Sequence, residues 1–317
     1  MSYVYGPVPS RRLGQSLGVD PIPFKTCNYN CVYCQLGRTT PLSNERQEFF
    51  PPADILAEVQ ATLDKHKSGE IDYITIVGQG EPLLSTGLGQ LISEVKVLTD
   101  IPVAIITNGA LLFKPEVRAE ISLADMVIPT LDAADEATFR CINRPWPELK
   151  ITDIIEGLVA FRKVFDGQLW LEVMLVKGVN DTEESLTGIA NALRRIRPDR
   201  VHLNVPIRPP AESWVEIPDG ESLIRAIAIL GEAAPIATPA EGEFGLTGDM
   251  PVADAIVEII RRHPIQEGNL LEILNTRQPD QVQEMLVALE TGGQARRHIY
   301  QGQVFWEYTG GRFANYT

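Results

Sequence analysis

Between Leu17 and about residue 235, short apolar runs rich in Val and Ile alternate with helical patterns, which confines this stretch to folds built from parallel β/α units. The runs are LGVDPIPF (17–24), YITIV (73–77), VAIIT (103–107), MVIPTL (126–131), LWLEVMLV (169–176) and VHLNVP (201–206). Helix-like stretches cover 52–67, 86–99, 114–121, 149–165, 182–196 and 220–231. Unbroken apolar runs of this kind suit strands covered on both faces. Six such units are too few for a closed eight-stranded barrel, which leaves an open barrel or a doubly wound sheet. In both, chemistry belongs just past the carboxyl ends of the strands. Those positions hold Lys25 and a cysteine-rich loop, GQGEP (78–82), Asn108 and Gly109, Asp132, Lys177 and Asn180, and Arg208.

The alternation stops at a Pro- and Gly-rich segment, so the chain divides into a domain at 1–235, a linker at 236–245 and a second domain at 246–317. In the second domain DAIVEIIRRH, NLLEIL and DQVQEMLVALETGG read as amphipathic helices, and ARRHIYQGQVFWEY as a hairpin turning at Gln301 and Gly302. That is the pattern of a small winged-helix-like α+β domain. Residues 246–317 carry 6 Lys and Arg against 9 Asp and Glu, and the whole chain has a net charge of −14, so nucleic-acid binding is not favoured over a lid, docking or dimer role. No stretch of membrane-spanning length is free of charges and no opening run resembles a signal peptide, so a cytoplasmic protein is expected.

Three of the chain's 4 cysteines, Cys27, Cys31 and Cys34, fall in FKTCNYNCVYC (24–34). In a reducing compartment clustered thiols are ligands or redox groups rather than a disulfide framework. Structural zinc takes four ligands, and His66, His202, His263 and His298 all lie elsewhere in the chain. Three soft thiolates on a four-iron cluster would leave one iron open to a small molecule.

The CxxxCxxC spacing, with Tyr33 just before the last cysteine, resembles the defining motif of the radical S-adenosylmethionine (radical SAM) enzymes. The resemblance implies a partial (β/α)6 TIM-type barrel carrying a [4Fe-4S] cluster on Cys27, Cys31 and Cys34, with S-adenosylmethionine chelated to the open iron. It also implies a flavodoxin- or ferredoxin-like electron donor and a 5′-deoxyadenosyl radical that takes hydrogen from a substrate. GQGEP resembles the family's GGEP motif, which implies that Gly78, Gln79, Gly80 and Glu81 lie beside the methionine amino group. Thr107, Asn108, Asp132, Glu172 and Asn204 stand where the family places groups for the ribose and carboxylate. The competing assignments are a turn cap for Thr107 and Asn108, a helix N-cap for Asp132 and a solvated strand face for Glu172.

The opening YGPVPSRRLGQSLGVDPIPFKTCNYNCVYC and NRPWPEL (143–149) resemble a prokaryotic branch grouped with the wyosine synthases, which rebuild a guanine in tRNA. Those enzymes hold a second cluster on three further cysteines, whereas only Cys141 remains here, either as a buried apolar residue or as a thiol hydrogen donor. Substrate-binding candidates are Arg11 and Arg12 for an anion, Arg144 and Arg208 as guanidinium clamps, and Lys177. Lys25 could pair with a carboxylate or form a Schiff base. Two alternatives stand beside a radical enzyme of unidentified substrate: a tRNA-modifying enzyme, and an iron-sulfur winged-helix DNA-binding sensor without catalysis.

Overall fold

The computed structural model describes residues 2–10, 12–231, 233–234, 251–274 and 279–309. Arg11, the 236–245 linker and the start of the second domain lie outside them. The sheet of the first part opens with a hairpin, β1 (Val4–Ser10) antiparallel to β2 (Gly14–Val19). It continues through β3 (Tyr73–Ile76), β4 (Val103–Thr107), β5 (Met126–Pro129), β6 (Gln168–Met174), β7 (Arg200–Asn204) and β8 (Ala233–Ala234), each parallel to its predecessor. Strand order follows chain order throughout. A doubly wound sheet reverses its order at a switch point, so that alternative is ruled out. The crossover helices are α1 (Pro52–Leu63), α2 (Leu88–Leu98), α3 (Pro115–Ile121), α4 (Glu136–Ile142), α5 (Ile151–Arg162), α6 (Glu183–Ile196) and α7 (Gly220–Leu230).

The sheet is open but strongly curled. Arg12, in the turn between β1 and β2, reaches Glu172 on β6 at 2.7 Å and Asn204 on β7 at 3.1 Å. In a flat sheet β2 and β6 would stand about 19 Å apart at the usual strand spacing, far beyond one arginine side chain. Leu13, from the same turn, joins Ala104, Met126, Ile128 and Trp170 in an apolar cluster on the inner face. Alternate residues such as Leu171, Val173 and Leu203 face outward into the main core beneath the helices.

Several boundaries differ from the sequence reading for physical reasons. The run 17–24 leaves the sheet after Val19, because Pro21 and Pro23 have no N–H to continue the ladder. Strand β1 was hidden by Pro7 and Pro9, which an edge strand tolerates. Two-residue β8 and seven-residue α4 are too short to show a period. The N-cap of α4 is Asp135, whose carboxylate accepts from Thr138 N at 2.9 Å, so Asp132 is not the cap.

The second part contains α8 (Val252–Arg262), β9 (Ile265–Gln266), α9 (Glu267–Ile273), α10 (Pro279–Thr291), β10 (Ala295–Tyr300) and β11 (Gln303–Tyr308). Its antiparallel sheet runs β10-β11-β9, and its own core gathers Ile256, Ile260, Leu270, Leu286 and Trp306. The hairpin turns at Gln301 (φ 51°) and Gly302 (φ 74°), the positive-φ pair a two-residue turn needs. Tyr300 Oη donates to the Pro206 carbonyl at 2.7 Å, joining this hairpin to the loop after β7. Among the described residues no helix is long and apolar enough to cross a membrane.

Candidate functional site: a cysteine loop braced by buried carboxylates

The cysteine loop leaves β2 and is pinned on both flanks. On one side Lys25 N donates to Gln79 O at 2.8 Å and Glu81 N to Thr26 O at 2.9 Å. A methyl group on Gly80 would fall 2.0 Å from the Thr26 carbonyl oxygen, so only glycine lets the GQGEP turn lie this close. On the other side Val32 N donates to Ile142 O at 2.9 Å, Asn30 N to Asn143 O at 3.0 Å and Trp146 N to Asn28 O at 2.7 Å. The segment joining α4 to α5, which contains NRPWPEL, therefore forms the loop's second wall.

Each sulfur has a nitrogen nearby. Cys27 Sγ lies 3.4 Å from Tyr29 N and 3.9 Å from Asn108 Nδ2. Cys31 Sγ lies 3.6 Å from Asn143 Nδ2. Cys34 Sγ lies 3.3 Å from Lys25 Nζ, which also donates to Gly37 O at 2.7 Å. The Lys25 amine is thus engaged inside the loop. Burial first, then Glu81, push the Cys27 thiol up to about 12. Cys31 is also raised well above the usual thiol range, by burial and then by its two neighbouring cysteines. These sites favour the thiolate only when a cation compensates it. Among the described residues no set of three or more His, Cys, Asp or Glu side chains closes around a single metal ion. Three soft donors with N–H groups at their sulfurs fit an iron-sulfur cluster.

Two buried carboxylates tie the loop to the strand ends. Glu81, 1% exposed, accepts from Leu83 N at 2.9 Å, Thr107 Oγ1 at 2.5 Å and Asn108 N at 2.7 Å. Burial still pushes its pKa up to about 7, against the pull of those three donors. Asp132, 2% exposed, accepts from Tyr33 Oη at 2.5 Å, Asn143 Nδ2 at 2.7 Å and Met174 N at 2.8 Å, and burial pushes it up to about 6. Both carboxylates spend their oxygens on the protein, and Tyr33 is the strut from the cysteine loop to β5. Asn108 joins in twice, through its backbone to Glu81 and through Nδ2 to Asn28 Oδ1 at 2.7 Å. Asn143, which reaches the loop from the α4–α5 segment, and Asn28, which receives Asn108 within it, escaped the sequence reading. The signal available for Asn143 was its place at the head of NRPWPEL, directly after a helix-sized segment.

The candidate substrate cations that the structure describes all have partners. Arg12 pairs with Glu172, and Asn204 Nδ2 donates to the same carboxylate at 3.1 Å, so Glu172 lies on the inner face rather than on a solvated one. Deep beside them, Arg12 Nε and His202 Nε2 are buried without a hydrogen-bond partner. Burial, followed by Arg12, lowers His202 to about 4 and keeps the ring neutral at physiological pH. Arg144 shares Glu212 with Arg38, at 2.5 and 2.8 Å, which clamps the loop after β7 onto the cysteine loop. Glu212 was not anticipated. Arg208 donates to Gln35 Oε1 at 3.0 Å, and Lys177 pairs with Glu216 at 2.9 Å on the surface. Cys141 is exposed, because α4 turns Phe139 and Ile142 inward instead.

Fold and site together describe an α/β protein with a cysteine-rich loop at the carboxyl end of a curled parallel sheet. The sequence pattern of the Radical SAM superfamily matches residues 22–187, and the chain belongs to that superfamily. It is similar to a UPF0026 protein of Methanocaldococcus jannaschii, 37% identical over 96% of each chain. A UPF0026 protein of Synechocystis sp. is 41% identical over 65% of this chain and 76% of its own length. Among solved structures, native anSMEcpe with bound AdoMet superposes with a TM-score of 0.51 at 14% identity, covering 68% of this chain and 58% of that one. As a member of this superfamily the protein is an enzyme whose cofactors are a [4Fe-4S] cluster and S-adenosylmethionine, and it needs a reductant to activate the cluster.

Proposed function

We propose that Cys27, Cys31 and Cys34 are the cluster ligands, and that the first 235 residues form a partial (β/α)6 barrel whose mouth takes the substrate. When bound, cluster and S-adenosylmethionine supply a 5′-deoxyadenosyl radical that removes a hydrogen atom from substrate. The chain's own part is placement and exclusion of water. The backbone at Gly78–Gly80 borders the position for the methionine end. Thr107 and Asn108 hold Glu81, Tyr33 and Asn143 hold Asp132, and Glu172 with Asn204 presents Arg12 inside the curl. Residues 246–317 are a winged-helix-like module resting its hairpin on the loop after β7 through Tyr300, which favours a cover or docking role for the module. A flavodoxin- or ferredoxin-like protein is the electron donor.

One observation carries this reading: three thiols in one loop, each with a nitrogen donor at its sulfur, on a loop braced against three strand ends. Anaerobic reconstitution, reduction and addition of S-adenosylmethionine test it. The parent chain should release 5′-deoxyadenosine, and Cys31→Ala, which removes one ligand, should lose bound iron and at least about 10-fold of that rate, a loss equivalent to about 1.4 kcal/mol of barrier. A parent chain that holds its cluster and yields no 5′-deoxyadenosine overturns the reading.

A further inference from the structure

Of the nitrogen donors around the three sulfurs, one is a cation. Lys25 adopts a left-handed backbone (φ 58°), a conformation glycine enters more readily than lysine. Its backbone N–H is held by Gln79 O at 2.8 Å. From there the side chain turns back across the loop, and its ammonium meets Cys34 Sγ at 3.3 Å and Gly37 O at 2.7 Å. A strained backbone, an anchored N–H and two contacts at the amine fix a positive charge beside one cluster ligand. The neighbours on the other sulfurs, Tyr29 N, Asn108 Nδ2 and Asn143 Nδ2, are neutral.

We propose that Lys25 is a positioning residue that sets the cluster's reduction potential: its ammonium, on the sulfur of Cys34, makes the cluster easier to reduce. The inference rests on the reading of Cys27, Cys31 and Cys34 as cluster ligands. Reduction moves one electron from a low-potential donor onto the cluster, so the cluster gains one negative charge and the donor is oxidised by one electron. A cation at hydrogen-bond distance from a ligand sulfur stabilises the more negative form more than the oxidised one. Charge-assisted hydrogen bonds also exceed neutral ones in strength. A lysine spent in this way does not form a Schiff base, which reassigns the role the sequence suggested for it.

The test is a dithionite redox titration of the reconstituted full chain, followed by electron paramagnetic resonance, with iron and sulfide counted on the same samples. Lys25→Met removes charge and donor, Lys25→Gln keeps a neutral donor, and Lys25→Arg keeps the charge. With iron content equal to the parent, the Met variant should show a reduced-to-oxidised ratio about tenfold lower at fixed potential, which is about 59 mV for a one-electron couple. The Gln variant should fall between Met and parent, and Arg should return close to the parent. A Met variant with full iron and an unchanged midpoint overturns the proposal. Should the Met variant fail to load iron, the Gln and Arg variants decide, and equal midpoints for those two overturn it. A parent chain that takes up no iron after reconstitution overturns the ligand assignment itself, and the inference falls with it.

Discussion

At the scale of single residues, Glu81 shows how a buried carboxyl is held at the strand ends. Its carboxylate is almost fully buried and takes three hydrogen bonds, from Leu83 N, Thr107 Oγ1 and Asn108 N. Those donors favour the ionised form, yet burial outweighs them and the folded pKa stands at about 7. A folded pKa raised above the unfolded one means that the native state binds the proton more tightly. The stability this contributes is whole below the ordinary glutamate pKa and is lost as pH rises through about 7. The full swing is on the order of 3 kcal/mol for this one group. Glu81→Gln should abolish that part of the pH dependence. It should also cost about 1–3 kcal/mol at low pH, because an amide has one acceptor oxygen for three donors. Urea unfolding of metal-free parent and variant at pH 5.5 and pH 8 checks both. Parallel pH profiles for the two proteins would show that the carboxyl does not titrate in this window.

At the scale of elements, the cysteine loop is positioned by the turn after β3, and Gly80 is the point of closest approach. A β-carbon there would stand 2.0 Å from Thr26 O, a backbone atom that cannot swing aside. Gly80→Ala should push the loop off the sheet, destabilise the fold by about 1–3 kcal/mol through overpacking and lower iron uptake. Thermal unfolding and iron counts would measure this, and an alanine variant that loads iron like the parent would show the loop to be independent of the turn. The same loop explains what the sequence could disclose. Cys27, Cys31, Cys34 and Tyr33 lie within one short segment, so spacing alone displayed them, and the Val- and Ile-rich runs disclosed β3 to β7 because period and burial coincide there. Asn143, 112 residues from the Cys31 it approaches, and Glu212, 174 residues from the Arg38 it binds, are polar residues in loops whose meaning exists only after folding. Asp132 read equally well as an N-cap, since a carboxylate before a helix looks the same whether it caps the turn or receives Tyr33.

At the scale of the whole molecule, the chain holds separate apolar cores on either side of the 236–245 segment. The first lies between the curled sheet and its helices, and the second is centred on Trp306, which is 2% exposed. Separate cores imply separate stabilities, because cooperativity spreads through contiguous packing. Trp306 fills the space among Ile256, Ile260, Leu270 and Leu286, and its Nε1 donates to Glu267 Oε2 at 2.7 Å. Trp306→Ala should therefore cost about 3–5 kcal/mol, comparable to all that a core of this size supplies. The expected outcome is selective. Amides in α8 to β11 should exchange like those of an unfolded chain, while β3 to β7 keep their protection and the cysteine loop keeps its iron. The Tyr300 contact to Pro206 would be lost with the hairpin, so the loop after β7 should exchange faster near Pro206 and remain protected near Glu212, which Arg38 and Arg144 hold independently. Hydrogen exchange resolved by peptide, with iron counted on the same samples, separates the cases. Loss of protection across both parts at once would mean that the hairpin contact joins them into one cooperative unit, and the second part would then have to be treated as a structural element of the barrel mouth rather than as a module resting on it.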